Sequence, residues 1–204
     1  MTEQRRTVRD GYDTLAEEYL DRRNDDPEWV LSELTDRLEP GDSVLDAGCG
    51  QGVPVTNTLT VDFDTVGLDF SRSQLRLART NVSGARFVQG DMTALPFEDD
   101  SFDAICAFYS LIHIPTDEHE QVISEFARVL RPGNYLLATV GDDAWEGSNP
   151  DWLGTDVEMQ WSFPSIEETF ETLNRVGFEV VEQFVVDDEL GSDHPFVLAQ
   201  YDPD

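Results

Sequence analysis

The stretch Leu45-Asp46-Ala47-Gly48-Cys49-Gly50-Gln51-Gly52 (LDAGCGQG) follows a short apolar run, and its reading decides the fold. Three alternating glycines after a strand-like run describe backbone that leaves a strand, opens a helix and lets a ligand come close. The spacing is G-x-G-x-G. A dinucleotide fingerprint would place glycine or alanine at the next position, where this chain has Val53. That small residue normally lets helix pack on strand beneath a pyrophosphate. Asp46 on the threshold would repel a diphosphate and suits a positively charged ligand. The glycines alone also fit a plain strand-to-helix turn, so their surroundings must carry the argument.

Strand-like runs surround the loop at Ser43–Ala47, Thr65–Asp69, Ala85–Gln89, Asp103–Tyr109, Asn134–Val140, Glu179–Val186 and Phe196–Tyr201. The first three lie about 20 residues apart, as in βαβ units with a mostly parallel sheet. Helical patterns fill the gaps. Ser71 and Gln74 form a capping-box pair opening Arg72–Thr80. Thr116 is placed to cap a helix with the apolar face Val122, Ile123, Phe126, Val129 and Leu130, stopped by Arg131-Pro132-Gly133. Ser165 and Glu168 make a second capping box, and Gly177 closes that helix. Two more helical patterns, Val8–Asp21 and Glu28–Leu38, precede the first strand. The expected fold is α/β, a Rossmann-like doubly wound seven-stranded sheet. It is mostly parallel with an antiparallel last strand and has helices on both faces. Its ligand crevice lies at the carboxyl ends of the strands.

The 204 residues suit one domain. Within it, 1–40 forms a helical cover, 41–140 the ligand-binding core, 141–165 an insertion on the substrate side, and 166–204 a last helix and strands. The chain carries 43 acids against 13 bases, a formal charge of −30, and every base is arginine. The acids are spread through Asp25–Glu28, Glu98–Asp100, Asp142–Asp143 and Asp187–Glu189. Such a surface fits adaptation to high salt, where repulsion is screened. It disfavours nucleic acid and anionic membranes, both of which need clustered positive charge. With no leader-like or membrane-length apolar run, a cytoplasmic monomer or homodimer is expected. Cys49 and Cys106 lack metal-ligand spacing and are expected reduced and buried, with no metal site.

Two further acids stand at strand ends. Asp69, about 20 residues past the loop, suits the two hydroxyls of an adenosine ribose. Asp91, in Gly90-Asp91-Met92, suits the exocyclic amine of adenine, with Met92 and Phe70 flanking the ring. NAD and S-adenosylmethionine share that ribose, so Asp69 does not separate them. Asp46 and Asp91 together favour a ligand with an amine, a ribose, an adenine and no phosphate.

VLDAGCGQG, VGLDFSRSQLRLAR, FVQGDMTALPFEDDSFDAICAFYSLIHIP and FARVLRPGNYLLATV resemble, in order, the signature segments of class I S-adenosylmethionine-dependent methyltransferases. The likeness is greatest to the type 11 branch, whose known members mostly act on small molecules. It covers about Tyr12–Val140, and more weakly WSFPSIEETFETLNRVGFEVVE. The resemblance implies that Gly48, Cys49, Gly50 and Gly52 pack against the methionine and ribose, and that Asp46 holds the ammonium. It implies Asp69 on the ribose, Phe70, Asp91 and Met92 around the adenine, and Ala107 and Phe108 beside the methyl donor. Ala107-Phe108-Tyr109-Ser110 departs from the Asn/Asp-Pro-Pro-Tyr motif of enzymes that methylate nucleobase amines.

Methyl transfer needs alignment and exclusion of water, and a base only if the nucleophile arrives protonated. His113 in SLIHIP is the candidate base, with packing as its alternative role, and Tyr109 is a candidate beside it. His194 reads as structural and His119 as lying on a solvated helix face. Tyr12 and Tyr19 share one helical face, and Gly141–Phe163 concentrates Trp145, Trp152 and Trp161. Tyr12, Tyr19, Trp145 and Trp161 are therefore candidate walls of a substrate pocket. The expected activity is methylation of a small-molecule acceptor using S-adenosylmethionine. An NAD-dependent oxidoreductase and a non-catalytic binding protein of the same fold remain the alternatives.

Overall fold

A computed structural model describes residues 1–22, 28–186 and 194–203. The acidic positions at Asp25 and Asp187–Glu189 lie outside the described residues. In chain order the elements are α1 (Glu3–Arg22), α2 (Glu28–Thr35), β1 (Ser43–Ala47), α3 (Val55–Leu59), β2 (Asp64–Asp69), α4 (Arg72–Asn81) and β3 (Arg86–Gln89). These are followed by β4 (Phe102–Ala107), α5 (His119–Val129), β5 (Leu130–Thr139), β6 (Trp145–Asn149) and β7 (Met159–Phe163). The chain ends with α6 (Ile166–Val176), β8 (Phe178–Val186) and β9 (His194–Tyr201).

The main sheet has seven strands in the order β3-β2-β1-β4-β5-β9-β8. β1 pairs in parallel with β2 on one side and β4 on the other, so the order in which successive strands are added reverses across the sheet at this point. That switch opens a crevice beyond the carboxyl ends of β1 and β4, where the glycine loop emerges. β9, the last strand, is antiparallel to both β5 and β8. Side chains alternate faces along each strand. Leu45 of β1 and Ile105 of β4 join Val122, Ile123 and Phe126 of α5 and Leu173 of α6. Val44 and Ala104 join Val30, Leu31 and Leu34 of α2 and Val55 and Leu59 of α3 on the opposite face. Each fully buried large side chain there is worth about 1.5–3 kcal/mol over leaving it exposed.

Capping chemistry sets several helix ends. Ser165 and Glu168 form the reciprocal box at the start of α6, and Gly177 ends it at φ 100°. Ser71 accepts from the Gln74 N–H and starts α4, but the Gln74 side chain makes no return bond. It is turned toward the crevice instead. Thr116 does not cap α5. Its N–H and hydroxyl both meet the Ser162 hydroxyl of β7 at 2.9 Å, and a single 3₁₀ turn, Thr116–Glu118, leads into the helix. α5 stops at Val129, and Arg131-Pro132-Gly133 falls within β5, where the ladder to β4 slips between Phe102 and Ala104.

The sequence pattern did not reveal β6 and β7, a two-stranded hairpin pairing Trp145 with Phe163 and Asn149 with Met159. It packs on α1 through a third apolar cluster containing Val8, Leu15, Trp152 and Met159, with Tyr12, Tyr19 and Trp161 partly buried against it. No helix among the described residues is long and apolar enough to cross a membrane.

Candidate functional site

At the switch point lies a cavity of about 910 Å³, counting its open mouth. The loop lines its floor with Asp46, Gly48, Cys49, Gly50, Gln51 and Val53. Asp69, Phe70, Gln74, Asp91 and Met92 also line it, as do Tyr12, Tyr19, Phe108, Tyr109, Ser110 and His113. The residues singled out around the loop thus meet in one place, although they are spread over a hundred positions of sequence.

Gly48, Gly50 and Gly52 have φ of 87°, 52° and 82°. The Gly48 and Cys49 N–H groups both donate to the Leu68 carbonyl, at 2.7 and 3.0 Å, and tie the loop to β2. Asp46 is buried and accepts from the Thr56 hydroxyl of α3 at 2.5 Å. Asp69 accepts from the N–H of Gly50 at 2.9 Å and of Ser71 at 2.7 Å. Burial raises its pKa from 3.8 to about 6, and those two N–H groups only partly oppose the rise. The Cys49 thiol is pushed well above its usual range by burial, with Asp46 and Asp69 adding to the effect.

Polar atoms without partners indicate what the cavity suits. Both amide atoms of Gln74, which is 1% exposed, and Oε1 of Gln51 are buried with no hydrogen-bond partner. Both residues line the cavity. Groups left this way cost about 1–3 kcal/mol each, so the floor fits a ligand rich in hydroxyl, amine or carboxylate. Gly48 adds a shape criterion, since a Cβ there would stand 2.3 Å from Ser110 Cβ. The floor is made for close backbone approach. These features fit S-adenosylmethionine, with its ribose, ammonium and carboxylate.

The chain leaves β4 through Phe108 and Tyr109. Tyr109 has φ 50°, a left-handed conformation uncommon outside glycine, and its N–H donates to the Thr139 hydroxyl at 3.0 Å. A 3₁₀ turn, Leu111–His113, then carries His113 into the cavity. His113 is 6% exposed. Its Nδ1 lies 2.9 Å from the Gln160 carbonyl of β7 and its Nε2 2.9 Å from the Tyr12 hydroxyl of α1. A carbonyl only accepts, so Nδ1 carries the proton and donates. In the neutral ring Nε2 is therefore the acceptor, and Tyr12 donates to it.

The described structure changes several site expectations. Trp145 does not line the cavity: it is 49% exposed, its ring lies over Gly147 of its own strand, and it contacts Phe163 at 5.8 Å. Trp161 stands behind His113 at 5.8 Å rather than in the lining. Ala107 is fully buried in the α5-side core and leaves the lining at this strand end to Phe108. His119 is not solvated. It is buried, its Nε2 donates to the Ile114 carbonyl at 3.0 Å, and burial lowers its pKa. The backbone of His194 opens β9 rather than preceding it.

Gln74 and Arg5 carried no site signal in the sequence, and Trp152, noted there within the tryptophan-rich insertion, stands behind the cavity wall. Gln74 was read only as a cap. Trp152 is buried edge-on to Tyr12 at 5.6 Å. Arg5 is 5% exposed and bonds Asp91, Thr93 and Glu118. An arginine in a polar N-terminal run carries no pattern that would single it out.

Residues 44–133 match a family model described as a methyltransferase domain. The chain is 33% identical over 190 residues to methyltransferase GfsG of Streptomyces halstedii, covering 86% of this chain and 67% of that protein. The chain belongs to the class I S-adenosylmethionine-dependent methyltransferases. The methyltransferase is also 36% identical over 137 residues to 27-O-demethylrifamycin SV methyltransferase of Amycolatopsis mediterranei, covering 61% of this chain and 50% of that one. It thus spans two thirds of the first relative's length and half of the second's. Its fold is shared with 1,6-didemethyltoxoflavin-N1-methyltransferase of Burkholderia thailandensis, solved with 1,6-didemethyltoxoflavin and S-adenosylhomocysteine. That comparison gives a TM-score of 0.78 at 19% identity over 98% of this chain and 89% of that one. The cofactor is S-adenosylmethionine, and the NAD alternative falls away. Membership is established at the level of the class I family, which is coarser than the type 11 branch.

Proposed function

We propose that this methyltransferase acts on a small-molecule acceptor whose attacking atom arrives protonated, and that His113 removes that proton. The observation that carries the reading is the fixed tautomer: Nδ1 donates to the Gln160 carbonyl, so Nε2 is the ring's acceptor, and the Tyr12 hydroxyl donates to it. The relatives support a small acceptor, since one is a 27-O-demethylrifamycin SV methyltransferase and a structural neighbour holds 1,6-didemethyltoxoflavin.

When bound, S-adenosylmethionine supplies a sulfonium methyl group for in-line displacement. In this reading Asp69 accepts the ribose hydroxyls, Asp46 faces the ammonium, and the backbone of Gly48, Cys49, Gly50 and Gly52 packs along the methionine. Gln51 and Gln74 offer their unpartnered amides to the same ligand. Asp91 accepts the adenine amine between Phe70 and Met92. Phe108 lies beside the methyl donor, with Ala107 supporting it from the core. Tyr12, Tyr19 and Tyr109 wall the acceptor side and exclude water, while Trp152 and Trp161 brace Tyr12 and His113 from behind. Incubation with S-adenosylmethionine and a panel of small phenols, alcohols, amines and thiols tests the reading through release of S-adenosylhomocysteine. Turnover only of acceptors that carry no proton on the attacking atom would overturn it.

The Asp69 assignment carries its own test. Asp69→Ala should weaken binding of S-adenosylhomocysteine by about 1–3 kcal/mol. The pH dependence has a definite sign. The native pKa of about 6 exceeds the ordinary 3.8, so the folded protein holds this proton more tightly. Its contribution to stability therefore declines as pH rises through that window. Hydroxyl donors favour the ionised carboxylate, so binding expels the proton. Affinity should fall by up to about tenfold per unit as pH drops below about 6, and Asp69→Asn should flatten that slope. Calorimetric titration across this range checks it, and a slope surviving in Asp69→Asn would move the linkage elsewhere.

A further inference from the structure

Four points fasten α1 across the cavity mouth. The Gln4 amide donates to the His113 carbonyl at 3.3 Å. Tyr12 meets His113. Asp13 accepts from the Ser71 hydroxyl at 2.7 Å and the Ser73 N–H at 2.9 Å, at the start of α4 beside Asp69. The fourth point is Arg5, and it differs from the others because it holds a group assigned to the ligand.

The Arg5 guanidinium pairs with Glu118: its Nη2 donates to Oε1 at 3.1 Å, while its Nε, 2.8 Å from Oε2, donates to the Thr2 hydroxyl at 3.4 Å. Its Nη1 donates to Oδ2 of Asp91 and, at 2.8 Å, to the Thr93 hydroxyl. Thr93 in turn donates its N–H and its hydroxyl to Oδ1 of Asp91, at 3.0 and 2.8 Å. A carboxylate has about four acceptor positions. Thr93 occupies both on Oδ1 and Arg5 one on Oδ2, which leaves one on Oδ2 for the cavity that Asp91 lines. The carboxylate cannot turn about its own bond without breaking one of these contacts. Removal of Arg5 would also leave Asp91 and Glu118 as two carboxylates that had shared one buried cation, in a chain already at −30.

We propose that Arg5 is a positioning residue that couples closure of α1 over the cavity to recognition of the adenine amine by Asp91. This rests on the cofactor placement proposed above. The amine takes the one acceptor position that Arg5 leaves and orients, so ligand and helix stabilise each other. Linkage makes the effect reciprocal: a ligand with the amine should tighten α1, and a docked α1 should favour that ligand.

The test compares S-adenosylhomocysteine with S-inosylhomocysteine, in which a carbonyl oxygen replaces the amine. The wild-type protein should prefer the adenosyl ligand by at least about tenfold, the range of a hydrogen bond to a charged group. Arg5→Gln should reduce that preference several-fold or more, with Arg5→Lys falling between. In hydrogen exchange, the adenosyl ligand should protect amides of residues 3–22 more than the inosyl ligand does, and Arg5→Gln should abolish the difference. Equal weakening of both ligands in a folded Arg5→Gln protein would make Arg5 merely structural and overturn the coupling. If Arg5→Gln does not fold, Glu118→Gln, which loosens the same guanidinium, must lower the preference or the proposal fails. Equal binding of both ligands by the wild type would overturn the Asp91 assignment and the coupling together. Absence of binding by either ligand would instead overturn the cofactor placement itself.

Discussion

His113→Gln is expected to lower kcat by roughly 10²–10⁴-fold, the range for loss of a positioned general base, and to leave S-adenosylhomocysteine affinity unchanged. The separation follows from position. His113 lines the cavity but makes its ring contacts with Tyr12, Gln160 and Trp161, none of which is assigned to the cofactor. In the proposed mechanism Nε2 would take the proton of the acceptor as the methyl carbon leaves the cofactor sulfur for the acceptor atom, and the imidazolium so made would later release it to water. Tyr12 meets Nε2 at 2.9 Å and would yield that position to the acceptor. Tyr12→Phe should therefore cost much less, roughly 2–12-fold, the worth of one neutral hydrogen bond. The acid limb of the wild-type kcat/KM profile should disappear in His113→Gln and persist in Tyr12→Phe. Turnover at the wild-type rate in a folded His113→Gln protein would leave alignment and water exclusion as the whole mechanism.

The part of the cavity lining proposed to hold the cofactor was legible in the sequence as a cluster because it is built on strand ends. Asp46, Asp69 and Asp91 stand at or just beyond the ends of β1, β2 and β3, and a parallel sheet brings successive strand ends together. The surroundings proposed for the acceptor were legible only in part. Tyr12, His113 and Gln160 come from a helix, a 3₁₀ turn and a hairpin strand, and no periodic pattern links those three. The hairpin was hidden because Gly141–Phe163 mixes acids, glycines and tryptophans without clean alternation. Its tryptophans suggested a wall, yet Trp152 and Trp161 act as its buttress and Trp145 turns away over Gly147. His119 was misread as solvated because it begins its helix among acids. The turn before it folds back and buries the ring against the Ile114 carbonyl. Arg5 gave no signal at all. In a chain with so many acids a single arginine does not stand out, whereas its burial and its bonds to Asp91, Thr93 and Glu118 do.

Gly48→Ala is expected to be the most damaging single substitution in the loop, costing roughly 2–5 kcal/mol. Two separable terms add. At φ 87° a side chain sits in the left-handed region, at about 1–2 kcal/mol. The added Cβ would also stand 2.3 Å from Ser110 Cβ and 2.9 Å from its Oγ, and relieving such overpacking costs about 1–3 kcal/mol. Ser110 cannot give way easily, since its hydroxyl donates to the Ala47 carbonyl at 2.8 Å and anchors the turn to β1. Pushing it outward displaces both parts of the site, because the same turn carries Tyr109 and His113 while Gly48 lines the part proposed to hold the cofactor. Gly133 separates the two terms. It has a similar φ of 84°, but a Cβ there meets nothing within 4 Å, so Gly133→Ala should cost only the conformational part and leave ligand binding intact. Adding Ser110→Gly to Gly48→Ala should recover part of the stability, by removing the atom that is struck. Denaturation midpoints and S-adenosylhomocysteine affinity report both effects. A Gly48→Ala protein as stable and as tight-binding as the parent would mean that the loop does not press its backbone against the turn from β4, and the close-approach reading of LDAGCGQG would fail with it.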